Sequence, residues 1–101
     1  MKPKISHKTV TEIRKELLRA RGQNAWTSFS TELQDDSRFL LISVELPYNA
    51  GEQQYKDACK ALQSIVADRI LPVPLEYSWM GVVTVGGKVV ESVMSEMLTA
   101  Q

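Results

Sequence analysis

From Phe39 to Leu46 the chain reads Phe-Leu-Leu-Ile-Ser-Val-Glu-Leu, a run so nearly continuous in apolar residues that water suits neither side of it. Its length points to a strand rather than a helix. The run is bounded by the turn-forming Gln34-Asp35-Asp36-Ser37 on one side and by Pro47 on the other. Such a segment is expected to lie at the centre of a sheet and to be covered on both faces. Whatever else the chain folds into must supply that cover.

The stretch before the turn supplies a neighbour. Between Ala25 and Leu33, Ala25, Thr27, Phe29, Thr31 and Leu33 alternate with Trp26, Ser28, Ser30 and Glu32. That is the period of a strand with one drier face, paired with Phe39 to Leu46 as a hairpin. A third strand is expected from Glu76 to Val85, after Pro72-Val73-Pro74, a stiff extended connector.

Helices provide the cover. Thr9 and Glu12 have the spacing of a capping box ahead of an apolar stripe of Val10, Ile13, Leu17 and Ala20, with Gly22 expected to close that helix. Asn49 and Glu52 have the same spacing ahead of Tyr55, Ala58, Cys59, Leu62, Ile65 and Val66, which recur at helical intervals. After Gly86-Gly87 the chain can turn into a further strand. The recurrence of Val89, Val90, Val93, Met94, Met97 and Leu98 as helical pairs instead favours a closing helix.

The expected fold class is α+β, a two-layer α-β-β-α-β-α arrangement with a small, mostly antiparallel three-stranded sheet covered by helices. The chain's 101 residues suit one core. The reading is a mobile basic arm over residues 1–8 and a single domain over 9–101, because Pro3 and the charges of the arm leave little to bury. No apolar run approaches the ~20 residues needed to cross a bilayer, no secretory leader is recognisable, and Cys59 is the lone cysteine. A cytoplasmic protein without disulfides is expected.

Charge is distributed unevenly. Residues 1–22 hold seven Lys or Arg against two Glu, and the remainder five against ten, so a net charge of zero conceals a cationic front end on an acidic body. One partner this suggests is nucleic acid, with Lys4, Lys8, Arg14 and Arg21 tracking phosphates without reading bases. No recognised nucleic-acid motif accompanies them.

Catalytic constellations are sparse. His7 is the single histidine, so neither a Ser-His-Asp relay nor a multi-histidine metal site can be assembled. Cys59 sits on an apolar helix stripe, where a thiol acts as a small hydrophobe with a raised pKa. Gly81 to Val89 resembles a P-loop in outline, but Gly87 stands directly after the second glycine of that spacing, where the motif needs Lys followed by Ser or Thr. The N–H groups of Gly86 and Gly87, with Lys88 beside them, remain as a weak anion site. Glu16, Asp36 and Glu45 are the acids that a Mg²⁺-dependent nuclease core would draw on, yet Pro47 replaces the lysine expected two residues beyond Glu45.

No catalytic residue, metal or cofactor is therefore expected. The expected function is binding of a protein partner, as an inhibitor, adaptor or immunity-type accessory factor, with a sheet edge available to a second copy. Two surfaces are candidates for that role: the aromatic and sheet-edge residues Trp26, Tyr77 and Trp79, favoured because aromatic anchors supply most binding energy, or the acidic turn Asp35-Asp36 together with Glu32, whose exposed acids mainly steer association.

Overall fold

The computed structural model describes residues 2–70 and 77–95. Within them the chain runs α1 (His7–Asn24), β1 (Ser28–Gln34), β2 (Phe39–Leu46), α2 (Glu52–Leu62), a π-helical continuation (Gln63–Ile70), β3 (Ser78–Val85) and β4 (Lys88–Met94). The strands form one sheet in the order β1-β2-β3-β4. The two outer pairs are antiparallel and the central pair, β2 with β3, is parallel. The class is α+β, but a four-stranded mixed sheet replaces the expected three-stranded, mostly antiparallel one.

The difference lies after Val85. The segment read as a closing helix is β4, and Gly86 and Gly87 form the hairpin turn, at φ +60° and +79°. Positive φ at both central residues gives a two-residue turn whose twist matches the strands it joins, and glycine adopts it without a steric penalty. The valines of this region are β-branched and suit a pleated surface better than a helix. The ladder also shifts register between Val83 and Thr84, which pair with Glu91 and Val89 and so leave Val90 as an extra residue. Met97 and Leu98, also assigned to that helix, lie outside the described residues, as does Pro72-Val73-Pro74.

α1 and α2 both start away from the expected caps, and α1 also stops beyond its expected end. Ser6, not Thr9, caps α1: its hydroxyl accepts the Thr9 N–H at 3.1 Å. His7 and Lys8 are thus helical, and Ile5 is buried, its N–H donating to the Ser37 carbonyl at 2.7 Å. The helix runs through Gly22 and ends at Ala25, which takes the left-handed conformation at φ 56°. The Asn24 side-chain amide donates to the Ala20 carbonyl at 2.8 Å and helps close this end. At α2 the cap is Gly51 rather than Asn49, and Gln54 reaches back to accept the Gly51 N–H.

The core lies between the helices and one face of the sheet. Leu40, Ile42, Val44 and Leu46 of β2 are buried with Trp79 and Val83 of β3, Ile13 and Leu17 of α1, and Leu62 of α2. α1 rests against β1, and α2 against β3 and β4. The opposite face of β2, formed by Phe39, Leu41, Ser43 and Glu45, is only half-buried, so among the described residues β2 is central but covered on one side. The expectation of cover on both faces is not met within them.

Gly81 sets how closely α2 can approach. A Cβ at this position would lie 2.7 Å from Leu62 Cδ1 and 3.5 Å from Val93 Cγ1. Leu62 is fully buried and has little room to yield. Gly81→Ala is therefore expected to destabilise the fold by about 1–3 kcal/mol through overpacking. A urea unfolding midpoint equal to or above that of the parent would refute the close contact.

Candidate protein-binding surface

Two of the three anchors expected from the sequence belong to the core. Trp26 is 4% exposed and Trp79 fully buried, so both are core residues, and Tyr77 packs against the core as a partly buried side chain. The error has a clear origin. Both faces of β3 are apolar, and alternation along such a strand cannot say which face the helices cover. Trp79 shares the helix-facing side with Gly81 and Val83.

The acidic group is only partly available. Glu32 is exposed on β1 and Asp35 in the hairpin turn. Asp36 is tied to Arg38 at 2.7 Å and to Lys4 at 3.2 Å. The hydrogen bond from Arg38 is the main reason its carboxyl titrates below the ordinary range, with Lys4 adding to the effect. The turn therefore carries its own counterions. The same contact places Lys4 beside an acid, so a phosphate approaching it would have to compete with Asp36.

The acids of the nuclease reading do not converge. Asp36 lies at one end of the β1–β2 hairpin, Glu45 at the other and Glu16 on α1. Among the described residues no three His, Cys, Asp or Glu side chains gather as a metal-binding group.

The weak anion site is already filled by the chain. Glu45 accepts the Gly86 N–H at 2.7 Å, the Gly87 N–H at 3.3 Å and the Thr84 hydroxyl at 2.7 Å. The Thr84 hydroxyl, followed by the two backbone donors, holds the Glu45 carboxyl below its ordinary value of 4.5 despite some desolvation. Cys59 is half-buried, and desolvation, with the Glu91 charge secondary, pushes its thiol up to about 11.

What the fold does assemble is a groove between α1 and the edge strand β1. Arg14, Leu18 and Arg21 recur at i, i+4 and i+7 and so form one stripe along α1, beside its buried face. Arg14 leans across to β1: Nη1 donates to Thr31 Oγ1 at 2.9 Å, and the guanidinium lies 5.5 Å from the centroid of the Phe29 ring. Beneath it is a cleft of about 320 Å³ lined by Thr11, Arg14, Lys15, Leu18 and Phe29. A second cleft of about 360 Å³ follows, lined by Leu18, Arg21, Gly22, Ala25 and Trp26. Leu18 is common to both and 59% exposed.

Among the described residues neither cleft is lined by an acid, and together they contain Arg14, Lys15 and Arg21, with a mainly apolar floor in the first. Of the four expected nucleic-acid contacts, Arg14 and Arg21 meet here, whereas Lys8 lies on the first turn of α1, about 120° around the helix from Arg14. Leu18 escaped the sequence reading although its spacing to the two arginines was visible, because one exposed leucine on a helix is commonplace.

The edge of β1 borders this groove. Among the described residues β1 pairs only with β2, and it keeps regular register over all seven residues, with neither proline nor lysine to blunt its outer side. The opposite edge, β4, begins with Lys88 and carries the register shift. Bulges and lysines are the usual means of discouraging strand addition, so β1 is the more receptive edge.

Known protein families, curated proteins and solved structures contain no match to this chain, and the site rests on its own geometry.

The Glu45 contacts give a pH test. A carboxyl whose folded pKa is lowered contributes stability above its unfolded value, and that contribution is lost as pH falls through the lowered folded value. The Gly86 and Gly87 amide resonances are expected to titrate together with a midpoint below 4.5, and Glu45→Gln is expected to abolish the shift. A midpoint at or above 4.5 would contradict these hydrogen bonds.

Proposed function

We propose that this chain is a non-enzymatic binding protein that acts on a protein partner, with the α1–β1 groove and the free edge of β1 as its docking surface. The partner presents an extended segment that adds to β1 through main-chain hydrogen bonds. An apolar side chain of that segment rests on Leu18 and Phe29, and flanking acids meet Arg14, Lys15 and Arg21. The observation supporting this reading is the meeting of two clefts at an exposed leucine, with three cations and, among the described residues, no acid lining them, beside an unblunted edge strand.

The roles of inhibitor, adaptor or accessory factor all fit such a surface, and each would be exercised by occupying a partner's strand. The charge pattern favours a protein segment over a nucleic acid for a physical reason. A polyphosphate is best followed by a row of cations, whereas here an apolar floor separates them and Lys4 is paired with Asp36.

Selection from a displayed library of extended peptides tests this. Enriched peptides are expected to place acids on either side of an apolar residue. Their affinity is expected to fall at least about tenfold on Leu18→Asp and on Arg14→Glu, the magnitude of losing a central apolar or arginine contact. Selected peptides without acids, or with affinity unchanged in both variants, would remove the groove as the site. Tight binding of single-stranded oligonucleotides that collapses with added salt would replace the proposal with the nucleic-acid reading.

A further inference from the structure

The face of the sheet that no described element covers carries a second inference, independent of the groove. Its exposed rows follow from the strand register. Leu41 of β2 stands beside Met80 of β3, and Met80 beside Met94 of β4, so one apolar row crosses three strands. Val82 and Phe39 flank this row on β3 and β2. All five side chains are only half-buried. The charged strand residues described on this face are Glu32, on the marginal strand β1, and Glu45, which is turned to its own hairpin contacts.

We infer that this face is the interface between two copies of the chain, packed sheet against sheet. The apolar run of β2 calls for cover on both sides, and the helices supply it on one. A second copy offers the same apolar row at the same height, which satisfies the self-complementarity a two-fold interface requires. With Glu32 at the margin, the contact leaves no charge at its centre.

The area is sufficient. Strands of seven or eight residues, rising ~3.3 Å per residue and spaced ~4.8 Å apart, give each face a plan of roughly 25 by 19 Å. Two such faces in contact remove about 1,000 Å² even when counted flat, and more once side-chain relief is included, which reaches the range of specific interfaces. Packed sheets of this kind align their strands within about 30° and stand ~10 Å apart, leaving room for Leu41, Met80 and Val82 to interdigitate. Methionine suits such a seam, because its unbranched thioether adapts to irregular gaps.

Sedimentation equilibrium over micromolar to millimolar chain, combined with peptide-resolved oxidation of Met80 and Met94 by dilute peroxide, tests the inference. The mass is expected to double from 11.4 kDa as concentration rises, and Met80 oxidation to be suppressed over the same range. Val82→Glu is expected to abolish the doubling with an unchanged circular dichroism spectrum. Should that variant fail to fold, the concentration dependence of Met80 oxidation in the parent chain decides. A mass fixed at 11.4 kDa overturns the inference. So does a doubling that leaves Met80 oxidation unaltered, which would place the interface elsewhere. Met80 protected at every concentration in a monomer would show that the chain covers its own sheet.

Discussion

The parallel pairing of β2 with β3 is the contact on which the other elements depend. Parallel neighbours cannot be joined by a tight turn, so the chain must leave the sheet after Pro47, cross it as α2 and return at Ser78. That crossing places Leu62 over Gly81 and fixes the height of the helical layer. It also assigns the remaining strands. β1 and β4 attach by hairpins on the outer sides and become the edges, and α1 is left to cover the β1 half of the same face. The groove is the seam where the cover provided by α1 ends beside an edge strand.

Glu45 ties this centre to the β3–β4 hairpin. It sits at the end of β2, and its carboxylate takes the hydroxyl of Thr84 and the two N–H groups of the glycine turn. Backbone donors at a glycine pair form a concavity suited to an anion. In this chain the anion is a side chain from the neighbouring parallel strand. The Gly86-Gly87 feature that looked like a remnant of phosphate chemistry is thus part of the hairpin's own support, and the residue suspected of metal chemistry is its acceptor.

Sequence reading succeeded where one periodicity dominated and the boundaries were chemical. β2 emerged with its observed limits because an apolar run was enclosed by an Asp-Asp-Ser turn and a proline. α2 was visible in its i, i+3, i+4 pattern, although Gly51 and Gln54 took the cap that Asn49 and Glu52 appeared to offer. β4 was lost because its register shift inserts one residue, which sets Val89 beside Val90 and disrupts the alternation a strand normally shows. The tryptophans were misplaced for a different reason. Trp79 lies on a strand apolar on both faces, and only the position of α2 determines which face is dry. Pattern reveals an element far better than it reveals what lies on top of it. The groove was half legible: Arg14 and Arg21 were singled out as cations, but the leucine between them drew no notice.

The two proposed surfaces are compatible because they use different sides of the sheet. α1 and the clefts belong to the helical layer, whereas Leu41, Met80 and Val82 face away from it. A face-to-face pair would therefore carry two α1–β1 grooves on its outer sides, both free. Strand addition to β1 would widen the sheet on the far side of Ser28, Ser30, Glu32 and Gln34, the polar row that β1 presents to the open face, so the added strand would lie outside the apolar seam between copies. A partner offering two extended segments would still gain, since the second segment binds at the effective concentration set by its linker rather than at its bulk concentration. A modest groove affinity thereby becomes a strong one without any additional contact in either groove.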